Sequence, residues 1–391
     1  MRRLPFLLLG VAVAAPAMAQ SVQFSAVAQS EIGYGTNPFL VPGVTKGTVF
    51  ASASIAPQLL YQTARSTTTL QGQYRRESYF EKFGYTDSGS IGLTRTDQLS
   101  QYLSSTLTGS YATSNGAIVA DPNQPVRDPL DIGRRSKILM GSYQLQWQTS
   151  ARDQISYGAQ FSHQNYGNSR APGFIGVSSN YTQYGTNVGY NHTVDSRTSV
   201  GAQVSLSTVR SKIYPDSRTI QPSLTARRQL TAVWEIDGHI GMVFSRIEGP
   251  FAESTNSLGI GVNLCGQYPR THICLKLSRD TQPTGHGPLQ KTTVIAGQLT
   301  HQLNEHSRLS VNAQFVRDSS DSFTTRGTPL LGNSKLVLAT ADYDRDLTQR
   351  VSAGFGGRFQ WRSLENLPVG TPSAARSYTG TIHVRAKLGR M

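Results

Sequence analysis

Three groups of residues in this sequence have types and spacing suited to chemistry. Cys265 and Cys274 are the chain's two cysteines, and they flank Gly266-Gln-Tyr-Pro-Arg-Thr-His-Ile273. Two cysteines in an oxidising compartment point to one disulfide rather than a metal site. Asp342, Asp344 and Asp346 stand two apart, like the start of a calcium loop, but no Gly follows at the required position and no Glu closes it. On a strand the three would share one face and pair with nearby cations, and a turn at 347–349 would set Asp346 opposite Arg350. The third group is basic: Arg75, Arg227, Lys276, Arg308, Arg358, Arg362, Arg385 and Lys387. The eight histidines have no ligand spacing, and G-x-S-x-G, H-E-x-x-H, P-loop and C-x-x-C motifs are absent. The expectation is therefore no enzyme, no cofactor and no metal.

The elements that must hold these residues are strands. In Val351–Trp361, one face carries Val351, Ala353, Phe355, Phe359 and Trp361, and the other Ser352, Gly354, Gly356, Arg358 and Gln360. In Ile155–Phe161, Ile155, Tyr157, Ala159 and Phe161 alternate with Ser156, Gly158 and Gln160. Around 378–388, Tyr378, Ile382, Val384 and Leu388 alternate with Thr379, Thr381, His383, Arg385 and Lys387. Successive side chains of a strand point to opposite faces, so each segment has one apolar and one polar face. The polar face is rich in Gln, Arg, Lys and Thr, which suit a wet lumen. The apolar segments approach the length of a tilted transmembrane strand. Both features favour apolar-outside over the inverted pattern of a soluble barrel. By this parity all eight basic residues face inward, where a lumen of one sign would attract the opposite sign. Inward acids such as Glu77 and Asp280 would offset them.

Connections alternate in length. Short ones fall near 63–66, 97–100, 150–154, 195–198, 231–234, 267–271, 304–307 and 347–349, and longer ones near 36–46, 81–87, 114–134, 167–178, 212–217, 248–254, 282–290, 319–333 and 364–375. Short turns on one side and long loops on the other are the pattern of an outer-membrane barrel. Eight turns and nine loops join eighteen strands, which predicts an all-β, antiparallel up-and-down transmembrane barrel of 16–18 strands. A barrel that wide encloses a channel unless loops plug it. The loop containing Pro122, Pro125 and Pro129 reads as an ordinary exposed loop, with a constriction folded into the pore as the alternative. A hairpin centred between Pro269 and Arg270 would bring Cys265 and Cys274 opposite each other, inside the barrel and within disulfide reach.

The first residues read as an address. Arg2 and Arg3 precede an apolar stretch from Leu4 to Ala15, and Ala17-Met18-Ala19 has the small-x-small form of a cleavage site. The chain divides into a signal peptide, 1–19, and a barrel, 20–391. Removing Arg2 and Arg3 from the 37 basic residues leaves 35 against 23 acidic ones, a net charge of +12. Secretion disfavours nucleic acid as the partner of that charge and leaves acidic polymers, anionic solutes and outer-membrane lipid.

Near the mature N-terminus stands Glu31-Ile-Gly-Tyr-Gly-Thr-Asn-Pro-Phe39. Its Glu31, Tyr34, Asn37, Pro38 and Phe39 resemble the opening of the β-barrel porin 2 family of outer-membrane proteins, often associated with exopolysaccharide and capsule systems. The resemblance implies a porin-like conduit in the cell outer membrane that exports an anionic exopolysaccharide with periplasmic polysaccharide-export proteins. A general diffusion porin for small solutes and a structural or adhesive barrel are the alternatives. One departure is the C-terminus, Arg385-Ala-Lys-Leu-Gly-Arg-Met391, which lacks the terminal aromatic residue common in such barrels.

The cleavage motif predicts a mature protein that begins at Gln20. N-terminal sequencing of the membrane-inserted form checks this; a mature chain that retains Met1 would contradict it.

Overall fold

The computed structural model describes residues 21–38, 40, 43–81, 84–115, 134–169, 180–212, 215–248, 253–284, 287–319, 333–365 and 373–389. The leader with its Ala19/Gln20 site, the proline-bearing loop and Met391 lie outside these residues. The chain forms eighteen strands. They are β1 Ser21–Thr36, β2 Gly47–Gln62, β3 Ser66–Tyr79, β4 Tyr85–Ser100, β5 Leu103–Asn115 and β6 Arg134–Gln148. Next come β7 Asp153–Ser169, β8 Tyr181–Asp195, β9 Thr198–Ser211, β10 Ser217–Gln229, β11 Trp234–Ile247 and β12 Glu253–Gln267. The last six are β13 Thr271–Thr284, β14 Gly287–Asn304, β15 Ser307–Ser319, β16 Asn333–Asp346, β17 Val351–Glu365 and β18 Ala374–Gly389.

Each strand pairs antiparallel with its sequence neighbours, and β1 pairs with β18 from Ser25↔Gly389 to Gly35↔Thr379, so the sheet closes. The eight short connections lie at one end of the barrel, here the turn end, with both strand termini. The longer ones lie at the opposite, loop end. Most boundaries fall within a residue or two of those predicted. Two differ. Residues 97–100 continue β4, whose turn is Gln101–Tyr102, and most of 282–290 is strand, with β13 running to Thr284 and β14 starting at Gly287. Ladder pairing continues in both: Gln98 pairs with Ser104 and Ser100 with Leu103, and Gln282 pairs with Gln290 and Thr284 with Gly287.

The alternation resolves as apolar outside. Ile32, Tyr74, Ile91, Leu139, Val188, Leu224, Ile240, Leu275, Ile295, Phe355 and Ile382 are all exposed on the outer surface. Outward aromatics gather toward both rims. Trp147, Tyr190 and Trp234 lie at the turn end, and Tyr34, Tyr85, Tyr184 and Tyr378 at the loop end. Such girdles suit rings that are apolar in body and polar at the tip. The indole Nε1–H of Trp234 donates to the Tyr268 hydroxyl (2.9 Å), which fixes both rings at the turn end.

Cys265 is in register with Cys274, and the two are bonded across a turn whose central residues are Pro269 and Arg270. Tyr268 N–H donates to the Thr271 carbonyl (2.8 Å), and Thr271 N–H donates back (3.3 Å), so the hairpin is already clamped by backbone bonds. The closed loop is short, and its stabilisation should fall below the roughly 3 kcal/mol that chain entropy gives a 15-residue loop. Cys265→Ser/Cys274→Ser should therefore still assemble into a barrel, with a modest fall in its unfolding midpoint. Thiol labelling of non-reduced protein should find no reactive cysteine. Two reactive thiols, or failed assembly of the double variant, would contradict this.

Candidate functional site

The lumen is the candidate site, and its two sides differ. The side running from β14 through β18 to β3 is filled. Its filling begins with the connection between β1 and β2, which turns into the barrel. Asn37 and Leu40 both have positive φ (45° and 48°). Leu40 N–H donates to the Asn37 carbonyl (3.0 Å), forming a tight turn through Pro38. Leu40 is fully buried against Val294, Val316, Leu336 and Ala375, with Ala296 alongside. These are inward residues of β14, β15, β16 and β18, so the hook crosses the inner surface of the neighbouring strands. A left-handed conformation costs a non-glycine residue roughly 1–2 kcal/mol. Burying a leucine returns about 1.5–3 kcal/mol, and a hydrogen bond from a charged donor about as much. That donor is Arg362, itself buried, whose Nη2 donates to the Leu40 carbonyl at 2.8 Å. Ser377 Oγ donates to the Thr36 carbonyl, and Tyr378 N–H donates to Thr36 Oγ1, holding the root of the hook to β18.

Toward the turn end, the same side carries a network of charges. Glu31 accepts from Arg75 Nη2 (3.0 Å) and from Ser52 Oγ (3.2 Å). Arg75 also reaches Glu77 (3.4 Å), which accepts from the Tyr79 hydroxyl (2.6 Å). Asp344 accepts from His383 Nε2 (2.8 Å) and Arg385 Nη1 (3.2 Å), and Arg308 Nη2 lies 3.5 Å away. Arg385 Nε donates to Gln29 Oε1 (3.3 Å), linking β18 to β1. Phe50 and Tyr79 stack inward beside this network, with ring centroids 5.7 Å apart. A Cβ at Gly33 would stand 2.8 Å from the Phe50 ring, and one at Gly354 would stand 2.6 Å from His383 Nε2, so both neighbours need glycine. A gap of about 110 Å³ lies among Glu31, Pro38, Phe50, Arg75, Asp342 and Arg358.

The other side is open and neutral. From β4 to β10, the described inward side chains are uncharged away from the strand ends, and most are Ser, Thr, Gln or Asn. A cavity of about 620 Å³ lies along this wall, lined by residues such as Thr108, Ser142, Gln160, Gln183, Gln203, Ser205, Gln221 and Ser223. His239 and Asp280, with Nε2 and Oδ1 3.7 Å apart, form its one ionisable corner among the described residues.

All eight predicted cations lie on the inward parity, but they do not form one basic surface. Arg75, Arg308 and Arg385 are paired as above, and Arg227 pairs with Glu235 (2.8 Å) at the turn end. Arg362 holds the hook. Lys276, Arg358 and Lys387 form no ion pair among the described residues, and Arg358 Nε is buried without a hydrogen-bond partner there. Against these eight stand nine inward carboxylates among the described side chains: Glu31, Glu77, Glu235, Asp237, Asp280, Asp318, Asp342, Asp344 and Asp346. The expected positive lumen is thus nearly balanced, because the net basic charge sits largely on outward faces and turns. Asp346 stands opposite Ser352 rather than Arg350, since the turn runs from Leu347 to Arg350 and is one residue longer than expected. Cys265 and Cys274 do face the lumen, with His272 Nε2 3.4 Å from Cys274 Sγ. With the two sulfurs bonded to each other, neither is a thiolate free to hold a metal.

The proline-bearing loop, read as exposed with a constriction as the alternative, falls outside the described residues, and the inward hook was not anticipated. A signal for it was present. Leu336 and Leu338 are apolar at inward positions, which turns Lys335–Ala341 into a run apolar on both faces. Strands read that way when both faces are covered.

No protein-family model and no curated protein matches this sequence. Among solved structures, the chain is similar to the apoprotein form of the FrpB iron transporter from Neisseria meningitidis, at 8% identity and a TM-score of 0.49, covering 94% of this chain and 81% of that one. It is also similar to OccK2 (OpdF) from Pseudomonas aeruginosa, at 10% identity and a TM-score of 0.47, covering 94% and 98%. OccAB3 from Acinetobacter baumannii matches at 8% identity and a TM-score of 0.43, covering 94% and 99%. Nothing about solute or activity follows from likeness at this level.

Proposed function

We propose that the chain is an outer-membrane barrel acting as a passive, porin-like conduit for hydroxyl-rich polar solutes, with saccharides as the substrate class. The observation that carries this reading is the neutral wall along the 620 Å³ cavity, opposite a lumen side closed by its own hook and ion pairs. Amide and hydroxyl groups both donate and accept hydrogen bonds. A sugar can exchange water for such a wall at many weak sites and still leave it, which conduction requires. The closed sheet with an apolar exterior supports the membrane placement, because each strand is hydrogen-bonded to a neighbour on both sides and no sheet edge is left open. Short turns together with the strand termini support assigning that end to the periplasmic side.

The resemblance of the Glu31–Phe39 segment supports a further step, export of an exopolysaccharide driven by a periplasmic apparatus. The balanced inner charge favours a neutral chain over an anionic one. Diffusion of small saccharides is the second reading, and the same wall serves it.

Planar-bilayer recording tests the conduit. The near balance of inward charge predicts a reversal potential close to zero under a salt gradient; strong anion selectivity would contradict the neutral path. Arg362→Ala removes a buried charged hydrogen bond worth about 1.5–3 kcal/mol to the hook. Assembly should survive, and single-channel conductance should rise as the hook leaves the lumen. Unchanged conductance would show that the hook does not limit the path. Neutral oligosaccharides should lower the wild-type current in a concentration-dependent way, and their indifference would refute the substrate class.

A further inference from the structure

The outer surface carries a charge pattern that the conduit does not use. At the loop end, Arg218, Arg246, Arg279, Arg317, Lys335 and Arg376 point outward from β10, β11, β13, β15, β16 and β18. Each stands two residues from an outward apolar side chain nearer the middle of its strand: Ile220, Phe244, Leu277, Phe315, Val337 and Tyr378. A ring of cations therefore borders the apolar surface over half of the circumference. At the turn end, the outward strand cations are Arg95, already paired with Asp97 at 2.9 Å, together with Arg228 and Arg345.

Two cross-strand pairs make the ring more than a scatter of charge. Arg218 is in register with Arg246, and Arg317 with Lys335. Like charges directly opposite each other destabilise a sheet. Glu248 relieves Arg218 (2.8 Å) and Glu365 relieves Lys335 (2.5 Å). Arg246, Arg279, Arg317 and Arg376 make no ion pair with any described residue. Directly opposed side chains start about 4.5–5.5 Å apart at Cβ, so one phosphate can accept from both members of a pair.

We propose that this ring binds the phosphate-monoester headgroups of lipids in the leaflet on the loop side, with their acyl chains on the apolar residues beneath. With Glu248 and Glu365 each taking up one charge, a pair keeps about one net positive charge; a monoester, with about −1.5 to −2 charges and three strong acceptor oxygens, satisfies the remaining donors more fully than a phosphodiester, which has one charge and two such oxygens. The apolar residue beneath each cation selects a lipid over a soluble anion. The inference rests on the membrane placement proposed above, but not on conduction, and its test does not read current.

The test uses the purified mature barrel in zwitterionic detergent, with the unfolding midpoint followed by heat-dependent gel mobility. Diphosphoryl lipid A should raise the midpoint, phosphatidylglycerol should raise it less, and dephosphorylated lipid A and inorganic phosphate should leave it unchanged. Arg246→Gln/Arg317→Gln should lose most of the rise with lipid A. In detergent alone the same variant should unfold at a higher temperature than wild type, because its like-charge repulsion is gone. Arg228→Gln/Arg345→Gln, at the turn end, should keep the full rise. If the loop-end double variant does not assemble, Arg246→Gln alone carries the same comparison. The proposal is overturned if lipid A leaves the wild type unmoved, or if its effect survives in the loop-end variant. It is equally overturned if the turn-end variant loses the effect to the same degree, or if inorganic phosphate reproduces it.

Discussion

Hydrogen bonding between β1 and β18 joins the two ends of the sheet, and everything else in the molecule depends on that closure. An open edge would leave a row of unpaired N–H and C=O groups. Once closed, each strand must give one side-chain parity to the outside and the other to the lumen. A slip of one residue would exchange the two sets along the whole strand. Arg358 and Phe359 are adjacent in sequence, yet one faces the lumen and the other the outer surface.

Closure creates a lumen wider than its wall side chains fill, and the protein occupies it unevenly. Leu40 buries itself on an apolar patch of the inner wall, and Arg362 caps the carbonyl that this turn leaves exposed. Below the hook, Glu31 and Asp344 gather arginines from several strands. Fixed charges that satisfy one another attract a passing ion weakly, since each field is cancelled locally. What remains open is lined by groups that bond water and sugar hydroxyls alike. The outer surface divides the positive charge differently, setting unpaired arginines at the loop-end rim beside apolar side chains.

Much of this was legible in the sequence because the period of a strand is simple. Parity alone assigned all eight basic residues to the lumen and set Cys265 opposite Cys274. It could not show how those residues pair. Arg75 meets Glu31 across two strand boundaries, and such contacts depend on register between segments far apart in sequence. An offset by Glu77 and Asp280 was legible, whereas the part played by Glu31 and Asp344 depends on cross-strand contacts that parity does not give. The hook was missed because a loop's sequence does not say on which side of the wall it lies. Its trace was in the wall instead, at Val294, Val316, Leu336 and Leu338, where a lumen-facing position should have been polar and was not. The Glu31–Phe39 segment, noted for its resemblance to a family opening, supplies both an anchor of the charge network and the turn of the hook.

The division of the lumen into a filled side and an open neutral side is tested most directly by chemical access. Ser205 lines the open cavity, whereas Ser377 is buried beneath the root of the hook. The native cysteines are bonded to each other, so a single introduced thiol reports alone. A hydrophilic maleimide applied to the folded barrel should label Ser205→Cys rapidly and leave Ser377→Cys unmodified until the protein is unfolded. Equal labelling of the two positions in the folded state would mean that the hook does not fill that side, and would contradict the divided lumen.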